Sequence, residues 1–242
     1  MKCLDLIEAQ AAEWGVSLDE VLLDGLLWYG RLLASYDRAN VIGTRDLERI
    51  MLDHVLDSLS CFLHKPLMGA GRLADVGSGG GLPGIPISIV RRDLRTTLIE
   101  STGKKADFMR LAAERLALEH VAVANARVED LGRARKYRGA NEVVTSRAVA
   151  RLSVLAEYCV PLLEVGGQAI AMKGPLEREE LEEGVRAAGV LGAKIGGVER
   201  VEMLPEVGEK VRNLVIIRKE GETPARYPRK AGMVAKRPLG AG

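Results

Sequence analysis

The spacing of apolar residues changes near residue 70 of this 242-residue chain, and the change separates two patterns. Up to Leu67, apolar positions such as Leu22, Leu26 and Leu33 recur at helical spacing. After Gly69-Ala70-Gly71, short apolar runs alternate with longer helical stretches. A chain that alternates in this way folds into a parallel sheet covered by helices. The pattern therefore predicts an α/β fold with a mostly parallel sheet and a helical N-terminal extension.

Seven apolar runs are the predicted strands of this sheet. They are Leu73–Val76, Thr96–Ile99, Val121–Asn125, Val143–Thr145, Gln168–Met172, Val198–Met203 and Leu214–Arg218. The last two follow the final long helical stretch and predict an antiparallel hairpin. We expect a helical extension at 1–67, a core at 68–219 and an extended, proline-containing tail at 220–242.

Composition excludes several classes of function. Aromatic residues make up 4% of the chain, too few for base stacking to be its main means of recognition. Three cysteines and three histidines are scattered, which argues against disulfides or a metal site and favours reduced cytoplasmic thiols. No apolar run approaches a membrane span, and Asp5 and Glu8 interrupt any signal peptide. We therefore expect a cytoplasmic protein without metal or membrane contact.

The net charge is only +2, but basic residues concentrate in two segments. These segments contain Arg133, Arg135, Lys136, Arg138, Arg147 and Arg151, and then Lys219, Arg226, Arg229, Lys230, Lys236 and Arg237. Local basic surfaces of this kind suit contacts with phosphates. Solvated surface charge explains each segment equally well when it is taken alone.

The segment Asp75–Pro86 carries the clearest chemical signal. A short apolar strand ends beside Asp75 and runs directly into a glycine-rich turn that includes Gly77 and Gly79, and an apolar helix follows. Glycines let the backbone approach a ligand closely, and an acid beside them attracts a cation. This arrangement suits S-adenosylmethionine, which bears an ammonium and a sulfonium. It suits a phosphate less well, because phosphates prefer basic residues and a helix N-terminus.

Two other interpretations of the turn stay open at this point. Gly79, Gly81 and Gly84 fit the dinucleotide fingerprint G-x-G-x-x-G, with Glu100 at a suitable distance. In that register, however, the first glycine lies three residues after the strand, and Asp75 faces the pyrophosphate. The third interpretation is a glycine-rich loop that binds no ligand.

Candidate site residues follow the predicted strands, whose carboxyl ends are where open α/β sheets bind ligands. The second strand ends in Glu100, where a carboxylate can accept hydrogen bonds from the two hydroxyls of a ribose. The segment Arg127–Asp130 follows the third strand and suits the edge of an adenine. The fourth and fifth strands end near Arg147 and Lys173.

Several motifs together resemble the bacterial RsmG (GidB) family, and the likeness runs from about Asn40 into the tail. These motifs are Asp75–Pro86, Gly103–Lys105, Ser146–Ala148, Met172–Gly174, His54–Leu59 and Arg212–Val215. The resemblance implies a class I (Rossmann-like) methyltransferase that uses S-adenosylmethionine to make 7-methylguanine in 16S ribosomal RNA. The implied partner is this RNA or the small ribosomal subunit, and we expect the enzyme to be a monomer.

The resemblance also implies roles for individual residues. It places donor-binding positions on Gly77, Leu82, Glu100, Ser101, Thr102, Val128, Glu129 and Arg147, to which the turn itself adds Asp75 and Gly79. Arg147 and Lys173 are the candidate catalytic residues, as hydrogen-bond donors to guanine O6.

Structural roles compete with these assignments. Arg147 could instead form a salt bridge to Glu129 or Asp130, and Lys173 could be a surface lysine. His54 and Asp57 lie about one helical turn apart, in a helix that Asp46 is predicted to cap. For this pair we favour a structural role between the helical extension and the core over catalysis.

Two positions depart from the family pattern. Glu100 stands where an aspartate is usual, and Asn40-Val41-Ile42-Gly43 stands where the family has an Asn-Leu-Thr element. Two other functions also stay open. A small-molecule methyltransferase explains the glycine turn but not the basic segments. A non-catalytic donor-binding or RNA-binding module requires Arg147 and Lys173 to be incidental.

Overall fold

The computed structural model describes residues 2–208 and 210–240 of the chain. Two helices open it, α1 (Lys2–Glu13) and α2 (Glu20–Ser35). Helix α2 begins after Asp19, whose side chain accepts a hydrogen bond from the backbone N–H of Leu22 and so satisfies one of the free donors of the first turn.

A continuous helical segment of unusual form follows. It begins as α3 (Leu47–Ile50), widens into the π-helical turn Met51–Leu56, continues as α4 (Asp57–Leu59) and ends in the 3₁₀ turn Ser60–Leu63, before the short α5 (Pro66–Gly69). The predicted cap is confirmed, because the Asp46 carboxylate accepts a hydrogen bond from the backbone N–H of Arg49 at 3.0 Å. π-helical turns are rare and occur frequently at functional sites, and this one carries His54.

Seven strands form one sheet in the order β3-β2-β1-β4-β5-β7-β6. They are β1 (Arg72–Val76), β2 (Arg95–Ile99), β3 (Val121–Ala124), β4 (Asn141–Arg147), β5 (Leu163–Lys173), β6 (Ala193–Arg200) and β7 (Asn213–Lys219). Neighbouring strands are parallel except that β7 is antiparallel to both β5 and β6. The order reverses direction between β1 and β4, and such a switch point is where open α/β sheets bind ligands.

The predicted terminal hairpin is confirmed, but the prediction that its first strand begins at Val198 is wrong. Strand β6 begins at Ala193. It is an edge strand with alternately exposed side chains, and its register against β7 shifts between Ile195 and Gly197. One face of this strand is exposed, and the strand contains the adjacent glycines Gly196 and Gly197. Both features weaken the apolar pattern from which the start of a strand is predicted.

Helices connect the strands and cover both faces of the sheet. They are α6 (Gly84–Val90), α7 (Gly103–Arg115), α8 (Val128–Leu131), α9 (Leu152–Cys159) with the 3₁₀ turn Val160–Leu162, α10 (Arg178–Val190), the 3₁₀ turn Pro205–Val207 and α11 (Met233–Lys236). The N-terminal helices, α6 and α7 pack on one face, and α8, α9 and α10 pack on the other. Alternate residues of β1 serve the two cores, because Leu73 faces the first and Ala74 the second.

The tail is packed on the core rather than lying free. Arg138 donates hydrogen bonds to the carbonyl oxygens of Thr223 at 2.6 Å and Tyr227 at 2.7 Å, and the Val234 side chain is fully buried. Arg229 forms an ion pair at 2.6 Å with Glu157, whose side chain is fully buried. The prediction of an extended tail is therefore wrong at α11. Arg229 has a structural role, because it pairs with a buried carboxylate.

Among residues 2–208 and 210–240, none of the helices combines the length and the apolar character that a membrane span requires.

Candidate active site

The glycine turn after β1 has a backbone conformation that residues other than glycine adopt only with strain. Gly77, Gly79 and Gly81 have φ angles of +69°, +58° and +90°, a region in which a side chain is disfavoured. A Cβ on Gly77 would lie 2.5 Å from a Val149 methyl group, whereas a Cβ on Gly79 would meet nothing closer than 3.9 Å. The turn therefore needs glycine for its conformation, and open space lies over Gly79.

Asp75 stabilises this turn through hydrogen bonds of its buried side chain. Its carboxylate accepts hydrogen bonds from the Gly84 N–H at 3.1 Å and from the Thr145 hydroxyl at 2.9 Å, and the side chain is sealed from solvent. Burial raises the pKa of Asp75 to about 6, although these hydrogen bonds act to lower it. The sequence interpretation placed this acid beside a cationic ligand, but in the structure it supports the backbone on which a ligand would lie.

Glu100 joins the ends of β1 and β2. One carboxylate oxygen accepts a hydrogen bond from the N–H of Gly79 at 3.1 Å and the other from the N–H of Thr102 at 2.7 Å. Each oxygen keeps a further lone pair. Ser101 and Thr102 are exposed beside it, and the Asn125 amide donates to the Glu100 carbonyl oxygen at 2.9 Å. The longer side chain of glutamate is thus accommodated, and its carboxylate is held at the glycine turn.

The residues assigned to an adenine pocket lie under the tail. Val128 and Glu129 are buried at the start of α8, and Leu82 is buried in the glycine turn. The Glu129 carboxylate accepts a hydrogen bond at 3.2 Å from the N–H of Gly232, the residue before α11. This contact could not be predicted from the sequence, because 103 residues separate the two partners.

Arg147 reaches the helical extension and not α8. Its guanidinium donates to the Asp57 carboxylate at 3.0 Å, to the His54 carbonyl oxygen at 3.3 Å and to Nδ1 of the His54 ring at 2.9 Å. The alternative salt bridge to Glu129 or Asp130 is therefore wrong. Arg212, the first residue of the motif Arg212–Val215, donates to the other oxygen of Asp57 at 2.8 Å.

Lys173 lies at the end of β5 and fixes the loop that follows β4. Its ammonium forms an ion pair with Glu180 at 2.7 Å and donates to the Ala150 carbonyl oxygen at 3.0 Å. Its side chain is 16% exposed, so the surface-lysine alternative is wrong. In the loop, Ala148 has a φ angle of +55°, and a non-glycine residue in this region marks strain of the kind found at functional sites.

A cavity of about 410 Å³ opens between the helical extension and the ends of β4 and β5. Its charged lining comprises five cations, Arg49, Arg147, Lys173, Lys210 and Arg212, and two carboxylates, Asp53 and Asp57, together with His54. Ala148 also lines the cavity, and its neighbour Val149 touches Gly77. The cavity therefore adjoins the glycine turn, and the excess of cations favours an anionic ligand.

The sheet order, the glycine turn after β1 and the carboxylate at the end of β2 together define a class I methyltransferase. A solved structure with this fold is geranyl diphosphate C-methyltransferase from Streptomyces coelicolor A3(2), with a TM-score of 0.53 and 17% identity over 83% of this chain and 98% of that chain. This likeness shows the fold alone.

The chain belongs to the rRNA small subunit methyltransferase G family, whose model matches residues 25–215. It is 58% identical to the ribosomal RNA small subunit methyltransferase G of Rubrobacter xylanophilus over 234 residues, which is 96% of this chain and 90% of that protein. The protein of the same name from Clostridium botulinum is 36% identical over 240 residues, 99% of this chain and 100% of the relative. The predicted family and fold are confirmed, and S-adenosylmethionine is the methyl donor.

The residues present fit this donor. The open space over Gly79 would be filled by a side chain, so the glycine keeps room for a ligand against the backbone. The Glu100 carboxylate beside it retains lone pairs for the two hydroxyls of a ribose. Within the part of the chain that the structure describes, no group of histidine, cysteine and acidic side chains is arranged to hold a metal ion.

Proposed function

We propose that this protein methylates N7 of a guanine in 16S ribosomal RNA, with the donor on the glycine turn and the guanine in the adjoining cavity. The observation that carries the proposal is the contact between Val149 and Gly77, which joins a methyl-donor site to a cavity rich in cations. RNA is a polyanion, and a cationic cavity suits it better than it suits an uncharged small molecule.

Each part of the donor site has a separate task. Gly77, Gly79 and Leu82 form the floor, and the Glu100 carboxylate accepts hydrogen bonds from the ribose, with Ser101 and Thr102 beside it. Val128 and Glu129 form the adenine side, held in place by the tail. Asp75 acts through the turn that it supports. When bound, the donor supplies an electrophilic methyl group.

The reaction requires that the donor and the guanine be oriented, and it requires no proton transfer before attack. Guanine N7 carries a lone pair and no proton, so no residue needs to act as a base before attack. Positioning of two reactants in this way contributes several kcal/mol, about 7–11 in favourable cases. Arg147 and Lys173 lie at the ends of β4 and β5, where they hold the cavity wall and the loop that contains Ala148.

Two measurements on a matched pair of variants test the proposal. Gly79→Val places a branched side chain in the open space over the turn, while Gly166→Val is the control, because Gly166 also has a positive φ, +92°, with nothing within 4 Å of a Cβ. Calorimetric titration with S-adenosylmethionine should show binding to the wild type and to Gly166→Val, and none to folded Gly79→Val. Single-turnover transfer to 16S ribosomal RNA should follow the same order, and the product should be 7-methylguanine. Unchanged donor binding in Gly79→Val, or methylation of another atom, would contradict the proposal.

A further inference from the structure

His54 is held by the π-helical turn in a position that fixes its protonation. One guanidinium nitrogen of Arg147 lies 2.9 Å from Nδ1 of the ring, and another donates a hydrogen bond to the His54 backbone carbonyl oxygen at 3.3 Å. A guanidinium can only donate hydrogen bonds. Nδ1 is therefore an acceptor without a proton, and the proton of the neutral ring lies on Nε2.

The surroundings keep this ring neutral. Burial and the neighbouring Arg147 guanidinium lower the pKa of His54 to about 4. The carboxylates Asp53 and Asp57 raise this pKa and the Lys210 ammonium lowers it, and the other charged groups lining the cavity are Arg49, Lys173 and Arg212. At neutral pH the ring is an uncharged donor through Nε2–H.

This donor is available to a ligand. His54 lines the cavity of about 410 Å³. Nε2 of His54 takes part in none of the hydrogen bonds found between described residues, whereas Nδ1 contacts Arg147. Among the described residues, the fully buried side-chain polar atoms without a hydrogen-bond partner belong to His64, Ser153 and Thr223. Because Nε2 of His54 lacks a partner and is not among these atoms, it is not sealed inside the protein.

Arg147 and Lys173 already use most of their hydrogen-bond donors within the protein. Both N–H groups of one Arg147 nitrogen are used, by Asp57 and by the His54 carbonyl oxygen. Two of the three hydrogens of the Lys173 ammonium serve Glu180 and the Ala150 carbonyl oxygen. His54 therefore offers the cavity an uncommitted donor of fixed direction.

We propose that Nε2–H of His54 donates a hydrogen bond to O6 of the target guanine and so selects and orients the base. This inference rests on the proposed function. Guanine presents O6 and N7 as acceptors on the same edge, so a donor on O6 places N7 beside it. Methyl transfer to N7 leaves positive charge on the purine. A neutral imidazole meets that charge without the repulsion that an imidazolium would add, and Arg147 acts through His54 by keeping the ring neutral.

Two substitutions distinguish the role of Nε2 from the role of the rest of the His54 ring. His54→Asn keeps an amide oxygen near the place of Nδ1 and loses the donor at Nε2, whereas His54→Gln restores an amide N–H near Nε2. The control is His120→Asn, because His120 contacts the Ser88 carbonyl oxygen at 3.1 Å, next to the start of β3 and away from the site. A folded state is confirmed for each variant by its thermal transition.

The first measurement is nitrogen-15 spectroscopy of histidine-labelled wild-type protein, in which only three histidines contribute. We expect His54 to show the Nε2–H tautomer and to titrate well below the ordinary pKa of 6.5. The second is single-turnover methylation of 16S ribosomal RNA, in which His54→Asn should lose about tenfold, the worth of one good hydrogen bond, with unchanged donor affinity. His54→Gln should recover most of this loss.

Each opposite outcome is decisive. A proton on Nδ1, or a His54→Asn rate equal to that of His120→Asn, would overturn the role of His54. A loss in His54→Asn that comes entirely from weaker donor binding would overturn it as well. If the wild-type protein itself transferred no methyl group to the RNA, the proposed function would fall instead.

Discussion

Asp57→Asn should destabilise the protein far more than an ordinary salt-bridge mutation. The Asp57 side chain is 6% exposed and pairs with Arg147 at 3.0 Å and with Arg212 at 2.8 Å, side chains that are 15% and 27% exposed. Removing one partner of a buried pair leaves the other charge uncompensated and costs about 3–5 kcal/mol. Because Arg212 is partly solvated, we expect about 3 kcal/mol, which for a chain of this size lowers Tm by about 6–12 °C.

The control for this prediction is Glu164→Gln. Glu164 pairs with Arg72 at 2.6 Å, a shorter distance than either contact of Asp57, but the two side chains are 39% and 47% exposed. An exposed pair contributes about 0–1 kcal/mol, so its loss should barely move Tm. Differential scanning calorimetry of both variants compares them directly. Equal shifts in the two would refute the reasoning that burial, and not distance, decides what each ion pair contributes.

Variants of Glu100, Asp75 and the tail test the donor site, the turn beside it and the contact with RNA. Glu100→Gln puts an amide N–H against a backbone N–H of Gly79 or Thr102 and removes the charged acceptor, so calorimetry should show donor affinity about tenfold lower or worse; equal affinity would mean that another residue binds the ribose. The raised pKa of Asp75, about 6 against 3.8, means that the folded protein binds this proton more tightly than the unfolded chain. Stability from Asp75 is therefore present at low pH and is lost as pH rises from about 4 to 6; in urea unfolding, Asp75→Asn should remove that part of the slope. Joint alanine substitution of the exposed Lys230, Lys236 and Arg237 should make RNA binding less salt-dependent, whereas Arg229→Ala should lower Tm; an unchanged salt dependence would mean that the tail does not contact RNA.

Features encoded locally could be predicted from the sequence. The apolar strand that contains Asp75, the glycine turn and the acid at the end of the next strand lie within about 30 residues, and apolar period, glycine and charge mark each of them. The structure brings Gly79 and Glu100 into contact as this local pattern suggests. The alternation of strands and helices likewise determined the class of fold.

Contacts between distant segments could not be predicted in this way. Arg147 and Asp57 are 90 residues apart, and charge alone does not select Asp57 among the 33 acidic residues of this chain. The π-helical turn that directs His54 toward Arg147 has no simple sequence signal. The packing of the tail could not be predicted for a similar reason. Its prolines favour extended backbone, but Arg229 binds Glu157, which lies on a helix 72 residues away in the sequence.

A map of 7-methylguanine in 16S ribosomal RNA from a strain that lacks this gene tests the proposed activity most directly. We expect that one modified guanine disappears, that the wild-type gene restores it, and that Gly166→Val also restores it while Gly79→Val does not. If every 7-methylguanine persisted in the deletion strain, or if Gly79→Val restored the missing one, the assignment of guanine-N7 methylation to the glycine turn and its cavity would be contradicted.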